Sequence, residues 1–537
     1  MTVDYIVVGA GTAGCVLANR LSEDGRNSVC VLEAGPSDNY LWIHIPIGYA
    51  KTMFHPVYNY GYYTEPDPNM NGRKIYWPRG RGLGGSSSIN GLIYIRGQAA
   101  DYDRWSEAGN KGWSWKEVLP YFIRSEHNSD ERLLADGTHG QGGPLWGTTI
   151  PAAHPLMDAI IAGGEELGVP KTIDFNNGNQ EGVGYYQLNT RNGWRCSTAV
   201  AYLRPALKRK NLRSEVNAQV TRIVFEGTRA VGVEYTQHGE KITLRANKEV
   251  LLTAGALQSP QLLMLSGVGP AGHLKEHGLE VRHDLPGVGE NMQDHLQLRL
   301  MYKVKKPITT NDDLKSNWRK FMMGWQWITQ RAGPLAIGIN HGGMFTRVLP
   351  ESTTPDIQFH FAALSAEMAG AATHPWSGCT FSVCQLRPES RGQVRLKSAD
   401  PLAAPAMYSN YLSHETDRRC AVSSVRFARK LAHTNALADL IGEEYRPGDS
   451  AQSDDEVLQF ARTYGATIFH PSGTCKMAPA ADPMGVVDAR LRVRGLSGLR
   501  VVDCSVMPTL VSGNTNAPVV MMAEKAADMI RDDNSHR

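Results

Sequence analysis

The chain contains 537 residues, of which 42% are hydrophobic and 20% are charged, and this composition is typical of a globular protein with more than one domain. Its 56 basic residues nearly balance its 53 acidic residues, so the formal net charge of +3 gives no electrostatic basis for binding nucleic acid. The basic runs at 79–81 and 208–210 are short, and we interpret both as solvated surface.

Cysteine spacing and the apolar stretches disfavour a disulfide-rich, a zinc-binding or a membrane-spanning protein. The 8 cysteines form no C-x-x-C pair and no zinc-like cluster, so we expect buried thiols, with neither disulfides nor a metal. The longest apolar stretch, 251–269, contains Gln258, Pro260 and Ser266, which predicts a strand, a turn and a helix instead of a transmembrane span. The first strand starts at residue 3, which predicts a cytoplasmic protein without a signal peptide; peripheral attachment to the inner membrane stays open.

The N-terminal segment predicts a dinucleotide site. A strand over residues 3–8 is followed by Gly9-Ala10-Gly11-Thr12-Ala13-Gly14, a helix, and a second strand that ends at Glu33. The three glycines permit a tight turn, close approach of a pyrophosphate to the helix N-terminus, and close packing of the helix on the strand. Glu33 lies 19 residues after Gly14, where a carboxylate accepts hydrogen bonds from a ribose diol. We therefore expect the adenosine ribose of NAD or FAD here.

The rest of the chain alternates predicted strands and helices, and the pattern of the strands changes at about residue 300. Residues 216–225, 231–235 and 241–244 predict a small meander, and 249–253 predict a buried strand that stops at Ala254-Gly255. From about residue 300, strands at 357–361, 379–383 and 393–396 and a helix at 412–431 predict a second domain with an antiparallel sheet. A strand at 499–503 and a helix at 517–531 return to the first domain. The predicted fold combines α/β and α+β. Its discontinuous Rossmann-like domain comprises 1–150, 196–300 and 465–537, and its substrate domain comprises 151–195 and 301–464.

Several longer segments resemble one family. Residues 80–91 (GRGLGGSSSING), 255–269, 470–477 (HPSGTCKM) and 513–518 are similar to signatures of the glucose-methanol-choline (GMC) flavin oxidoreductases. The resemblance extends over essentially residues 3–531. It implies the GMC fold, FAD as the cofactor, and oxidation of a CH-OH group.

The resemblance and the dinucleotide motif together imply the residues that contact FAD. The GMC members that bond flavin covalently carry a histidine just before the asparagine that follows the serine loop, which is residues 84–88 in this chain. This chain carries Ile89 at that position, so we expect non-covalent FAD. The predicted contact residues are Gly9, Gly11, Thr12, Ala13, Gly14, Glu33, Ala34, Arg81, Gly84, Gly85, Ser86, Asn90, Gly91, Leu92, Val220, Ala254, Gly255, Asp503, Asn514, Asn516 and Ala517.

The same resemblance implies two catalytic residues. His470 matches the catalytic histidine of the family, and Asn514 matches a position that the family fills with histidine or asparagine. A neutral imidazole, with an ordinary pKa of about 6.5, can accept an alcohol proton near neutral pH, whereas an amide can only orient the substrate. We expect the hydroxyl proton to pass to His470 and a hydride to pass from the carbinol carbon to flavin N5.

Substrate and acceptor are less defined by the sequence. Gln358 and His360 share one face of a predicted strand and, with Phe469, are candidate substrate contacts, although His360 could equally be a structural residue of the sheet. The expected substrate is a primary aliphatic, aryl or polyether alcohol, and the expected acceptor is a quinone, a cytochrome or O2. Choline dehydrogenase, an O2-dependent alcohol oxidase, and a non-redox flavin scaffold or lyase are the alternatives; no acid in 300–460 identifies a site for the choline cation.

Overall fold

The computed structural model describes residues 2–150, 153–368 and 370–535, so the predicted domain boundaries at residues 1, 151 and 537 lie outside the described residues. Two sheets of seven strands each organise the chain. In chain order their strands are β1 Thr2–Val8, β2 Val29–Leu32, β3 Gly182–Tyr185, β4 Leu212–Glu215, β5 Gln219–Glu226, β6 Arg229–Gln237, β7 Glu240–Leu252, β8 Leu296–Val304, β9 Asn340–Thr346, β10 Ile357–Ala362, β11 Gly378–Gln385, β12 Ile441–Arg446, β13 Ala466–Thr467 and β14 Leu499–Val501. The longer helices are α1 Thr12–Ser22, α2 Ala99–Glu107, α3 Trp115–Ser125, α4 Pro155–Glu166, α5 Gly255–Leu265, α6 Asn317–Gln330, α7 Glu415–Ala432, α8 Asp454–Tyr464 and α9 Asn516–Ser535.

The first sheet has the order β4-β2-β1-β7-β6-β5, and β14 also pairs with β7. Its β4, β2, β1, β7 and β14 pair in parallel, whereas β5 and β6 extend the sheet by antiparallel pairing. Residues 5–8 of β1 and all of β2 are buried, as is typical of inner parallel strands, and α1 packs against both strands. The parallel strands end at one edge, where α1 begins at Thr12. The predicted Rossmann-like domain is confirmed.

One prediction about this sheet is wrong. The segments 241–244 and 249–253 were expected to be separate strands, but they form the single strand β7. Its first half pairs with β6 as far as Arg245, and from Arg245 onward it pairs with β1. The polar residues Asn247 and Lys248 interrupt the apolar pattern, yet the backbone continues because one neighbouring strand takes over hydrogen bonding from the other.

The second sheet is antiparallel throughout and has the order β12-β8-β11-β10-β9-β3, with β13 added beside β8. On β10, the side chains of Ile357, Phe359 and Phe361 enter a hydrophobic core that α7 also contributes to. Gln358 and His360 therefore face the opposite side of the sheet, as the alternation predicts.

The two sheets draw their strands from several separate segments of the chain. β3 lies within the predicted segment 151–195, and β14 and α9 lie with the first sheet and its core. However, residues 296–300 of β8 and residues 466–467 of β13 pair in the second sheet, although the predicted segments 196–300 and 465–537 assign them to the first domain. The pairing between β8 and β13 could not be predicted from the sequence because β13 is only two residues long.

The cysteines are free thiols, and all are buried except Cys504, which is half-buried. No helix within the described residues has both the length and the apolar character needed to cross a membrane. The described part of the chain also lacks any group of three or more metal-binding side chains.

Candidate active site

A cavity of about 520 Å³ extends between the first turn of α1 and the second sheet. Most of the residues predicted to contact cofactor or substrate line it: Gly9, Gly11, Thr12, Ala13, Glu33, Ala34, Gly85, Ser86, Asn90, Gly91, Leu92, Val220, Ala254, Gly255, His360, Phe469, His470, Asp503, Asn514 and Asn516. We call the part around residues 9–34 the nucleotide end and the part around His470 the substrate end.

Glycine positions at the nucleotide end explain the tight turn. Gly9 has φ +102°, a left-handed conformation that favours glycine. A Cβ on Gly14 would lie 1.9 Å from the carbonyl oxygen of Gly9, and a Cβ on Gly85 would lie 2.8 Å from the Cα of Gly11. Strand, helix and serine loop can therefore meet closely only because these side chains are absent, which leaves backbone amides facing the cavity.

The carboxylate of Glu33 holds three backbone segments together at the nucleotide end. The backbone N–H groups of Ala10, Gly35 and Gly82 each donate to it at 2.9 Å. Burial raises the pKa of Glu33, while these three donors and Arg81 oppose that shift. The carboxylate still lines the cavity, so it can also accept hydrogen bonds from a ribose diol.

Five predicted residues lie outside the cavity lining. Gly14 supports the turn from behind, and Gly84 donates its N–H to the carbonyl of Ala10 at 2.8 Å. Arg81 donates to the carbonyl of Ala34 at 3.3 Å, and Ala517 packs in the core beneath the start of α9. The fifth residue, Gln358, is buried behind Asn514. Gly14, Arg81 and Gln358 therefore contact residues that do line the cavity, namely Gly9, Ala34 and Asn514.

The serine loop is held by Arg195, which sequence reasoning missed. Its guanidinium donates to the Asn90 side chain at 2.7 Å and to the carbonyl of Ser87 at 3.2 Å. Burial lowers the pKa of Arg195 to about 9. Ile89 lines the cavity beside Asn90 and has no nucleophilic atom. No local pattern distinguishes Arg195 from other arginines, because its partners lie more than 100 residues away.

The ring of His470 is oriented by a second buried histidine. Its Nδ1 lies 2.9 Å from Nδ1 of the buried His295, whose Nε2 lies 2.9 Å from the carbonyl oxygen of Leu386. A carbonyl only accepts, so His295 carries its proton on Nε2 and accepts at Nδ1, and His470 must donate from Nδ1. The lone pair of a neutral His470 is then on Nε2. The ring is therefore presented as a proton acceptor.

Electrostatics keep this pair of imidazoles neutral. Burial, followed by the neighbouring His295, His360 and Arg79, lowers the pKa of His470 well below its ordinary value. Burial also lowers the pKa of His295 to about 4. Both rings are therefore uncharged near pH 7.

Asn514 stands on the other side of His470. Its Nδ2 lies 3.3 Å from Nε2 of His470, while its Oδ1 accepts from Nε2 of Gln358 at 3.1 Å. The Gln358 amide also donates to the hydroxyl of Tyr186 at 3.0 Å. Gln358 was predicted to contact substrate, but its contacts make it the residue that orients the Asn514 amide. The hydrogen-bonded series Gln358–Asn514–His470 joins three segments that are distant in sequence.

The backbone before His470 is strained, and an arginine secures it. Phe469 has φ +73°, which is unusual for a residue with a large side chain. Arg79 donates to the carbonyl of Phe469 at 2.6 Å and lines the cavity. The interpretation of 79–81 as solvated surface is therefore wrong for Arg79, because the turn before His470 takes up its guanidinium.

His360 faces the substrate end, where neither ring nitrogen makes a complete hydrogen bond in the described residues and Asn514 is a neighbouring side chain that acts on its pKa. Burial lowers its pKa to about 3, so the ring is neutral and offers one donor and one acceptor. The carboxylates that line the cavity within the described residues are those of Glu33 and Asp503. Neither is at the substrate end, since Glu33 follows β2 and Asp503 accepts from the N–H of Gly255 at the start of α5.

Comparison with known proteins defines the class. A family model described as GMC oxidoreductase matches residues 3–297, and a second with the same description matches residues 388–523. The chain belongs to the GMC oxidoreductase family. It is therefore an FAD-dependent oxidoreductase of CH-OH donors, and the predicted family, cofactor and reaction class are confirmed.

Particular relatives span nearly the whole chain. The mitochondrial choline dehydrogenase of Mus musculus is 44% identical, covering 98% of this chain and 89% of its own length. The alcohol dehydrogenase [acceptor] of Pseudomonas putida is 41% identical, covering 98% of this chain and 95% of its own. Among solved structures, pyridoxine 4-oxidase from Mesorbium loti superposes with a TM-score of 0.88 at 32% identity, covering 99% of both chains.

Proposed function

We propose that the protein oxidises a primary alcohol without a cationic head group to the aldehyde, with His470 as the base. The observation that carries the proposal is the paired geometry of His295 and His470, which leaves Nε2 of His470 as a neutral acceptor. FAD, when bound, accepts the hydride. His470 takes the hydroxyl proton, and the Asn514 amide orients the substrate oxygen next to Nε2.

Non-covalent binding of FAD is part of the same proposal. The residue beside Asn90 is Ile89, which cannot form a bond to the isoalloxazine. Acid precipitation should release the yellow colour into the supernatant. Colour that stays with the pellet would contradict non-covalent binding.

The substrate end supports an alcohol other than choline. A quaternary ammonium needs aromatic faces and a carboxylate, but the carboxylates lining the cavity in the described residues are at the nucleotide end. Instead, apolar Leu314, Ile339, Leu364 and Phe469 line the substrate end. Steady-state assays with a dye acceptor should give a larger kcat/KM for 1-hexanol and benzyl alcohol than for choline. A preference for choline would overturn this assignment.

We also propose that the protein binds an anionic membrane surface through α6 and passes its electrons to a quinone. The exposed fractions of Trp318, Phe321, Trp325 and Ile328 are 68%, 57%, 53% and 61%. At about 100° per residue these side chains share one face of the helix. The opposite face buries Met323 and Trp327, so the exposed face has no partner within the described chain.

Two further features of α6 favour a lipid surface as its occupant. The helix carries Arg319 and Lys320 but no acidic residue, and aromatic side chains next to basic ones favour the headgroup region of anionic bilayers. The helix Thr310–Lys315, which lines the cavity through Thr310 and Leu314, packs directly against α6. An apolar alcohol or a quinone could therefore enter the cavity from the bilayer.

Sedimentation with vesicles tests the attachment. Wild type should pellet with vesicles that contain phosphatidylglycerol, and the double variant Trp318→Ser/Trp325→Ser should stay in the supernatant. Ile173→Ser, which removes another exposed apolar side chain, is the matched control and should pellet like wild type. Equal pelleting of the double variant and wild type would overturn the lipid surface as the occupant of this face. A wild-type dimer that is dissociated by the double substitution, and not by Ile173→Ser, would also overturn it.

A further inference from the structure

The second sheet places an arginine in the substrate end of the cavity. In the register, His360 on β10 is opposite Ser382 on β11, and Ser382 is opposite Arg299 on β8. Directly opposite residues of antiparallel strands point to the same face, so these three side chains form one row, and all three line the cavity. Two strand spacings separate His360 from Arg299 by about 10 Å.

Arg299 lacks an anionic partner. Its one hydrogen bond in the described part of the chain goes to the carbonyl of Ala366 at 3.4 Å, and no described carboxylate forms an ion pair with it. Glu367, the carboxylate that acts on the pKa of Arg299, is already engaged by His374, Tyr445 and Arg446. Burial lowers the pKa of Arg299 to about 10, yet the group remains charged near pH 7. A buried, charged guanidinium without a counter-ion is costly in the absence of a ligand.

We infer that Arg299 binds a carboxylate at the far end of the substrate, so that the preferred alcohols carry a terminal anionic group. His360 and His470 define the reacting end of the cavity, and Arg299 lies two strands away from His360 along the same row of side chains. A guanidinium binds a carboxylate through two parallel hydrogen bonds, which fixes the direction of the chain between the two ends. The same positive charge repels a trimethylammonium group. This inference rests on the proposed alcohol oxidation for the direction of the substrate, but not for the binding of the carboxylate.

Three alcohols of equal chain length give the kinetic test: 6-hydroxyhexanoate, 1-hexanol and 6-aminohexanol. Wild type should show kcat/KM in that order, with the anion ahead of the cation by about a hundredfold or more, because charge-assisted hydrogen bonds replace charge repulsion. Arg299→Gln should reduce the ratio of anion to neutral alcohol by about tenfold or more, and Arg299→Lys should restore part of it. Arg26→Gln, whose side chain is 85% exposed and lies outside the cavity lining, is the matched charge control and should leave the ratio unchanged.

A binding measurement separates this inference from the proposed function. Hexanoate has no hydroxyl group, so its binding to the FAD-loaded protein, followed by calorimetry, needs no turnover. Binding that weakens about tenfold or more in Arg299→Gln supports the carboxylate site even if no alcohol is oxidised. Equal hexanoate affinity in wild type and Arg299→Gln, or a wild-type preference for 1-hexanol over 6-hydroxyhexanoate, would overturn the inference.

Discussion

The two ends of the cavity are built in different ways. The nucleotide end comes mainly from one continuous segment, in which Gly9, Gly14 and Glu33 are fixed by contacts along β1, α1 and β2. At the substrate end, His295, Gln358, His470 and Asn514 come from four separate segments and meet only when the second sheet is formed. The proposed cofactor-binding end is therefore specified mainly by local sequence, whereas the proposed proton-transfer site is assembled by tertiary structure. Substitutions should therefore affect FAD retention at one end and turnover at the other.

The largest expected effect is at the substrate end. His470→Ala should keep FAD and fold but lose turnover by about 10²- to 10⁴-fold, the usual contribution of a positioned acid-base group. Steady-state assays with a saturating dye acceptor measure the loss. His433→Ala, which removes an exposed histidine outside the cavity lining, is the control and should keep its activity. Turnover of His470→Ala within threefold of wild type would show that the base lies elsewhere.

The next effect is at the nucleotide end and should appear in binding. Glu33→Gln places an NH₂ group among the three N–H donors that hold Glu33, and it removes the charge facing the ribose. We expect FAD affinity to fall by about 10- to 100-fold, from the loss of a charge-assisted hydrogen bond. Fluorescence of released FAD after dilution measures this change. Glu276→Gln, whose side chain is 75% exposed, should retain FAD like wild type; full retention in Glu33→Gln would contradict the assigned role.

Orientation of Asn514 should have a smaller effect. Asn514→Ala and Gln358→Leu should each reduce kcat/KM by about tenfold while FAD stays bound, because the two residues act through one hydrogen bond. The double variant should lose little more than either single variant. Additive losses would show that Gln358 acts independently of Asn514.

The smallest effect concerns pH. The pKa of His470 is lowered by burial, so the unprotonated, active form should persist below pH 6.5, the ordinary pKa of histidine. Activity should be lost only as the pH falls through this lowered value. The kcat/KM profile of wild type should therefore show its acidic limb below pH 6.5. A limb centred above pH 6.5 would mean that bound substrate or cofactor raises the pKa, or that another group titrates.

At the nucleotide end, local sequence predicted the positions of the glycine turn and of Glu33. The glycine spacing and Glu33 sit within one β-α-β unit, whose periodicity is local, and the structure places these residues as expected. Even there, the sequence did not predict every tertiary contact. The Thr12 hydroxyl donates to the Asn516 side chain at 2.9 Å, although the two residues are 504 positions apart.

At the substrate end, the alternation along β10 correctly gave the face that holds His360. The roles of His295, Arg79 and Arg299 could not be predicted, because each depends on strand register or on a turn formed by distant residues. Gln358 shows the same limit. Its face was predicted, but the partner it holds, Asn514, could be identified only from the assembled structure.

Anaerobic flavin reduction in a rapid-mixing instrument tests the division between the two ends most directly. With saturating FAD and 1-hexanol, Glu33→Gln should reduce its flavin at about the wild-type rate, whereas His470→Ala should be slower by about 10²- to 10⁴-fold. Reduction of His470→Ala at the wild-type rate would contradict the account and make His470 a structural histidine, with His360 the first alternative base to examine.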